Sequence, residues 1–301
     1  MTLAGLLVRL VTGTVAIGAV AIGSLLYTQQ RSLIYCASLP EDSRTVVETP
    51  DVYDLPFTEP TLETPDGARL RSYVMRHPNA ASRPTVVMFH ANAGNMGHRL
   101  PIAAVFFKQL GCNVAMLSYR GYGLSTGEPS EAGLRIDAQT MLDWLRADKE
   151  LGGTHIVLYG QSIGGAVAID LAARRASQVA GLIVENTYVA ADSFLSLPLL
   201  VPHLLPGLAP FTFLLRAYML TGDVWPSKRQ ITRIPDTVPV LFLSGDRDEL
   251  VPPSHMQELY RTCSSDNKEW HSFPGATHND TCVQPRYFEI IAAFLLKHVA
   301  N

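Results

Sequence analysis

The feature that most restricts how this chain folds is a run of five residues, Gly160-Gln161-Ser162-Ile163-Gly164, set between an apolar stretch and an alanine-rich one. His155-Ile156-Val157-Leu158-Tyr159 before it reads as a buried strand. Residues 165–172 after it read as a helix whose small side chains permit close packing on a sheet. A G-x-S-x-G turn between strand and helix forces its serine into a strained backbone conformation. The positions two before and two after must then be nearly free of side chain, which Gly160 and Gly164 satisfy. A glycine-rich turn with an incidental serine is the competing reading, and the strand and helix around the motif argue against it.

The rest of the chain alternates in the same way. A hairpin is expected over 62–75, around the turn Pro65-Asp66-Gly67. Strand signals recur at 85–89, 113–118, 155–159, 181–184, 238–243 and 269–273, with helical patterns at 99–110, 131–149, 165–175, 253–262 and 285–299. Alternating strands and helices predict an α/β fold with a mostly parallel central sheet and helices on both faces. One stretch breaks the pattern. Residues 194–220 are apolar almost throughout but carry Pro198, Pro202, Pro206 and Pro210 at every fourth position, which denies a helix one hydrogen bond per turn. It is expected to form short pieces of a small lid, within an insertion at about 190–236; a buried core segment and a second membrane contact are the other readings.

From Leu10 to Leu26 there is no charge, and the run reaches back to Leu3 if Arg9 extends toward the headgroups. The stretch is longer than the apolar region of a cleaved signal peptide, and no A-x-A site follows Ser24. Residues 1–30 are therefore expected to be a transmembrane signal anchor, residues 31–60 a connector, and residues 61–301 the α/β domain. Arg9 with the amino terminus on one side, against Arg31 on the other, leans toward a single-pass type II membrane protein. The expected place is the endoplasmic reticulum or another endomembrane. A formal charge of −3 leaves no basic footprint for nucleic acid. The four cysteines lack C-x-x-C spacing, so no metal site is expected; Cys263 and Cys282 are the pair to examine for a bridge.

A serine hydroxyl needs a base to take its proton, and the base needs a carboxylate to hold its tautomer. When the serine sits on such an elbow the carboxylate and histidine follow it, on loops at the carboxyl ends of later strands. Asp248 lies in Ser244-Gly245-Asp246-Arg247-Asp248, behind an apolar strand, and is preferred to its neighbour Asp246 and to Glu185. Of the nine histidines, His278 stands in Gly275-Ala276-Thr277-His278-Asn279-Asp280, between the last strand and the final helix. The oxyanion of a tetrahedral intermediate needs two backbone N–H donors. Ile163 supplies the first. Asn92, in the loop His90-Ala91-Asn92-Ala93-Gly94-Asn95, is nominated for the second, with His90 a residue that shapes the loop. No metal or other cofactor is required.

Taken with Tyr119-Arg120-Gly121-Tyr122-Gly123-Leu124-Ser125 and Val184-Glu185-Asn186-Thr187, these motifs resemble the Bem46-like branch of the α/β-hydrolases, which includes the alpha/beta hydrolase domain-containing protein 13 type. The likeness covers almost all of the chain beyond residue 30. It implies an α/β-hydrolase fold and a membrane-anchored serine hydrolase with the triad Ser162, Asp248 and His278. Related branches remove palmitate from protein cysteines, so the implied partner is an acyl ester or thioester, carried by a lipid, a small molecule or an acylated protein. A serine peptidase and a non-catalytic tethered scaffold are the alternatives. The chain departs from the family at Ala91, where glycine is usual. It also has no cysteine cluster before Cys36, unlike the depalmitoylating relatives.

Overall fold

Apolar strands without polar alternation must be covered on both faces, and the central strands of this chain are of that kind. The computed structural model describes residues 34–190 and 225–299, together with Gly5, 12–14, Gly18, Ala21, Ser24, Thr28 and Arg31. The strands are β1 (Thr61–Glu63), β2 (Arg69–Met75), β3 (Thr85–Phe89), β4 (Asn113–Leu117), β5 (Ile156–Gln161), β6 (Gly181–Glu185), β7 (Val240–Gly245) and β8 (Lys268–Phe273). The helices are α1 (Leu100–Lys108), α2 (Glu131–Ala147), α3 (Ile163–Arg174), α4 (Ser227–Ile231), α5 (Pro253–Thr262) and α6 (Tyr287–His298).

The sheet runs in the order β1-β2-β4-β3-β5-β6-β7-β8. β2 is antiparallel to β1 and to β4, and every pair from β4 to β8 is parallel. Because side chains alternate across a strand, each one feeds two cores. Val87, Phe89, Leu158, Val184 and Phe242 pack with residues of α2, α3 and α5. Val86, Met88, Val157, Ile183 and Leu241 pack with residues of α1 and α6. The fold is the expected mostly parallel sheet with helices on both faces. Its strand order reverses at β3, which lies between β4 and β5. A crevice at the carboxyl ends of the strands opens at such a switch point, and the elbow after β5 and the 90–95 loop after β3 both border it.

Several boundaries differ from expectation by a few residues, two of them with a clear local cause. α2 stops at Ala147 because Asp148 turns extended, accepts the N–H groups of Glu150 and Leu151, and pairs with Arg76 at 2.8 Å. Before α1 the chain makes a 3-10 turn, Met96–Arg99, in which Asn95 and His98 cap one another. The five-residue α4 is too short to leave a periodic signal. All four cysteines are free.

The described positions from Gly5 to Ile34 are helical. Among the described residues no helix is long and apolar enough to cross a membrane. Most of the 10–26 run, on which the anchor expectation rests, lies outside the described residues, and so does the lid stretch 194–220.

The elbow is as tight as its sequence demands. Ser162 takes φ 56° and ψ −122°. A Cβ on Gly160 would stand 2.1 Å from the Gly164 carbonyl oxygen, and one on Gly164 would stand 2.1 Å from that of Phe89. Gly153, in contrast, has nothing within 4 Å of such an atom. Gly160→Ala and Gly164→Ala should each cost about 3 kcal/mol or more, since backbone rather than a movable side chain must yield. Gly153→Ala should be close to neutral, and thermal unfolding of the three variants beside the parent chain tests the contrast.

Candidate active site

Ser162, Asp248 and His278 arrive at one end of the sheet from three different strands. Ser162 follows β5, Asp248 follows β7 and His278 follows β8. The three are almost fully buried, at 4, 6 and 3% exposure. Asp248 Oδ2 and His278 Nδ1 are 2.7 Å apart. The other carboxylate oxygen, Oδ1, accepts the N–H groups of Leu250 and Val251 at 2.9 and 2.7 Å, so Asp248 is held by its own loop. A carboxylate in that position keeps the proton on Nδ1 and leaves Nε2 to act as a base.

The other two carboxylates weighed for this role are occupied elsewhere. Asp246 Oδ1 accepts the Gly275 N–H at 2.6 Å, which ties the β7 loop to the β8 loop. Glu185 is wholly buried and turned toward Tyr159, Tyr287 and Gln161. It accepts the Tyr159 hydroxyl at 2.7 Å, the Tyr287 hydroxyl, and Gln161 Nε2 at 3.1 Å. Burial pushes the Glu185 carboxyl pKa up, and the two tyrosine hydroxyls pull it the other way.

The histidine loop is fastened to the elbow through its backbone. Gln161, the residue before Ser162, donates to the His278 carbonyl at 3.3 Å, and Asn186 Nδ2 donates to the same oxygen at 3.2 Å. Asn186 also bonds Thr281 Oγ1 at 2.9 Å and accepts the Gly245 N–H at 2.9 Å, so one side chain joins the ends of β6, β7 and β8. It sits at φ 44°, a conformation asparagine tolerates better than most residues. Sequence reasoning gave Gln161 and Asn186 no role. The available signal was an asparagine directly after an apolar strand at the catalytic edge. Among the described residues the Ser162 hydroxyl makes no hydrogen bond to His278, a contact that commonly tightens only when substrate is bound.

On the oxyanion side, Ile163 is the first residue of α3, where a backbone N–H has no intrahelical partner. The Ser162 backbone around it is pinned: its N–H donates to Glu185 O at 2.9 Å, and its carbonyl accepts Thr187 Oγ1 at 2.7 Å. Asn92 lies across the crevice, after β3, with its side chain bonded to Ile34, Cys36 and Tyr122. Ala91, in the place of the usual glycine, has a negative φ, so an alanine fits without backbone strain.

His90 shapes the loop, as its position in the sequence suggested. Its Nδ1 donates to the Ala91 carbonyl at 2.7 Å, and Nε2 accepts the Tyr119 N–H at 3.4 Å. Burial pushes its pKa down to about 3, so the ring is neutral at ordinary pH.

Residues 84–217 match the alpha/beta hydrolase fold family, and residues 202–281 match the serine aminopeptidase S33 family. The chain is 44% identical to protein bem46 of Schizosaccharomyces pombe, over 96% of its own length and 92% of that protein. It is 38% identical to an uncharacterized membrane protein of Saccharomyces cerevisiae, over 95% of each. Among solved structures it is similar to the Pyrococcus furiosus esterase Pf2001, with a TM-score of 0.70 at 20% identity, covering 85% of this chain and 96% of that one, a likeness of fold.

The neutral His90 ring has a consequence for pH. The unfolded chain takes up a proton at this position below about 6.5, which the folded chain refuses until about 3. Stability is therefore lost as pH falls through that window, with the folding equilibrium shifting by up to about tenfold per pH unit from this group. Denaturant unfolding at pH 7, 5 and 4 should show a shallower acid limb in His90→Gln than in the parent chain. Parallel profiles would show that His90 is not the group responsible.

Proposed function

We propose that this chain, which belongs to the Bem46-like branch of the α/β-hydrolases, is a serine hydrolase that cleaves an ester or thioester through an acyl-enzyme. The observation that carries the reading is the buried 2.7 Å contact between Asp248 and His278, on a loop tied through Gln161 to the residue before Ser162. His278 Nε2 takes the Ser162 proton as Oγ attacks the acyl carbon, and the carbonyl π-electrons move onto oxygen. The N–H groups of Ile163 and Asn92 receive that oxyanion. Collapse of the intermediate expels the alcohol or thiol, which takes the proton from His278, and water then repeats the sequence to release the acid. Asp248 stays ionised and holds the imidazolium.

The substrate in this reading is an acyl group on a lipid or on a protein cysteine. Residues 1–30 carry the chain in a membrane as a single-pass type II anchor, supported by the uncharged run 10–26 and by a yeast relative whose name is that of a membrane protein. The likeness of residues 202–281 to serine aminopeptidases favours an amide substrate as the second reading.

The test is hydrolysis by the full, detergent-solubilised chain of paired oxyesters and thioesters, with short and long acyl groups, beside an aminoacyl amide. Ser162→Ala should lower turnover of the preferred ester by about a thousandfold or more. Faster serine-dependent cleavage of long-chain thioesters would identify an acyl-protein substrate, and of oxyesters a lipid or small ester. Serine-dependent turnover of the amide alone would replace this reading with the peptidase.

A further inference from the structure

Asn92 spends most of its carboxamide on a segment far from it in sequence, and the rest on Tyr122. Its Oδ1 accepts the backbone N–H of Cys36 at 3.1 Å and the hydroxyl of Tyr122 at 2.7 Å. Its Nδ2 donates to the carbonyl of Ile34 at 2.6 Å and lies 3.8 Å from Cys36 Sγ. A neutral amide offers two lone pairs and two N–H donors, so nothing remains of this side chain for a substrate. What remains is its backbone.

The contact continues along both segments. The Gly94 N–H donates to the Leu39 carbonyl at 2.6 Å. Asn95 Nδ2 donates to the carbonyls of Ser43 and Val46, each at 2.9 Å. Gly97 passes so close to the same chain that a Cβ there would lie 2.7 Å from the Glu48 nitrogen. Ile34, Tyr35 and Ser43 are buried against the domain at 6, 2 and 2% exposure. Trp225 Nε1 donates to the Tyr35 hydroxyl at 3.3 Å, which binds the same segment to the chain entering α4.

We propose that residues 34–46 are a strap that sets the oxyanion side of the active site, and that the side chain of Asn92 is its positioning residue. The inference rests on the serine-hydrolase reading, because its effect on chemistry passes through the Asn92 backbone N–H. The loop 90–97 has no regular structure before its 3-10 turn. Its ends are held by Tyr119 on His90 and by the Ser118 hydroxyl on the Met96 N–H, while between them the bonds of the Asn92 and Asn95 side chains and of the Gly94 N–H to chain outside the loop run to Tyr122 and to residues 34–46. With the strap, the Asn92 backbone N–H, the second oxyanion donor of the serine-hydrolase reading, is held in place before substrate arrives and need not be ordered during the reaction. The strap begins at Ile34, directly after the helical turn closed by the Tyr35 N–H on the Arg31 carbonyl at 2.8 Å. The geometry of the site is thereby joined to the N-terminal segment of the chain.

Two variants of the full chain test this. Asn92→Asp keeps the acceptor oxygen but removes the donor to Ile34, and sets a carboxylate against that carbonyl. Tyr122→Phe removes one hydroxyl and keeps the ring in its buried place, so it reports on the strap if the first variant does not fold. Amide hydrogen exchange should rise in 34–46 and 90–97 together in both variants, by more than the change elsewhere in the sheet. Unchanged exchange in those segments would overturn the strap, whether or not any substrate is turned over. With an ester that the parent chain hydrolyses, kcat should fall about 30-fold in Asn92→Asp and about threefold in Tyr122→Phe, with KM within twofold. The affinity of a boronic acid that forms a tetrahedral adduct on Ser162 should fall by the same factors. Loss of kcat with unchanged adduct affinity, or no loss of kcat, would overturn the link to the oxyanion. An inactive parent chain would instead count against the hydrolase reading, with hydrogen exchange still deciding the strap.

Discussion

The catalytic edge depends on a steric condition: there is no room for a Cβ at residue 160 or 164. With both positions bare, β5 can end, reverse into α3 and come within van der Waals contact of the β3 backbone in the space of five residues. Ser162 is held at a positive φ because its surroundings determine it, through the Glu185 carbonyl on its N–H and the Thr187 hydroxyl on its carbonyl. The strain is local, and its cost is met by the two cores that clamp the strands on either side. The same closeness places Ile163, the first residue of α3, directly after the serine at the end of β5.

Around that turn the loops are fixed by polar side chains rather than by regular structure. Asp246 spans from β7 to β8, Asn186 joins three strand ends, and Gln161 reaches from the elbow to the histidine loop. Beneath them the fully buried Glu185 takes three donors. A buried polar group is costly unless its partners are present, so such a network favours one arrangement strongly over its neighbours. The Asp248–His278 geometry is in this sense a product of residues outside that pair.

Much of this was legible in the chain. Both-face burial made the central strands read as apolar runs, and the glycine requirement made the elbow unmistakable. Asp248 was separable from Asp246 because a residue two places nearer the strand end belongs to the turn itself, and the Asp246 bond to Gly275 is of that type. What could not be read was contact at long range between irregular segments. Asn92 meets Cys36 and Ile34 across more than fifty residues, through a stretch whose proline, acidic and polar residues carry no period. Asn186 left a composition signal but no indication of its partners, since a carboxamide can bond almost anything. The apolar stretch 194–220, expected to form pieces of a lid, lies outside the described residues.

The way the chain enters the domain has a mechanical consequence. Arg31 and Ile34 are both helical, and at about 1.5 Å per residue the last turn before the domain is only about 5 Å long. Ile34 is already a partner of the loop beside the crevice. A flexible tether lets a domain explore a sphere whose radius grows with the square root of its length. Here the described tie is a single helical turn, and a shift of Arg31 is passed through it to Ile34 and from there to the side chain of Asn92. The loop beside the crevice thus stands one hydrogen bond from the point where the chain enters the domain.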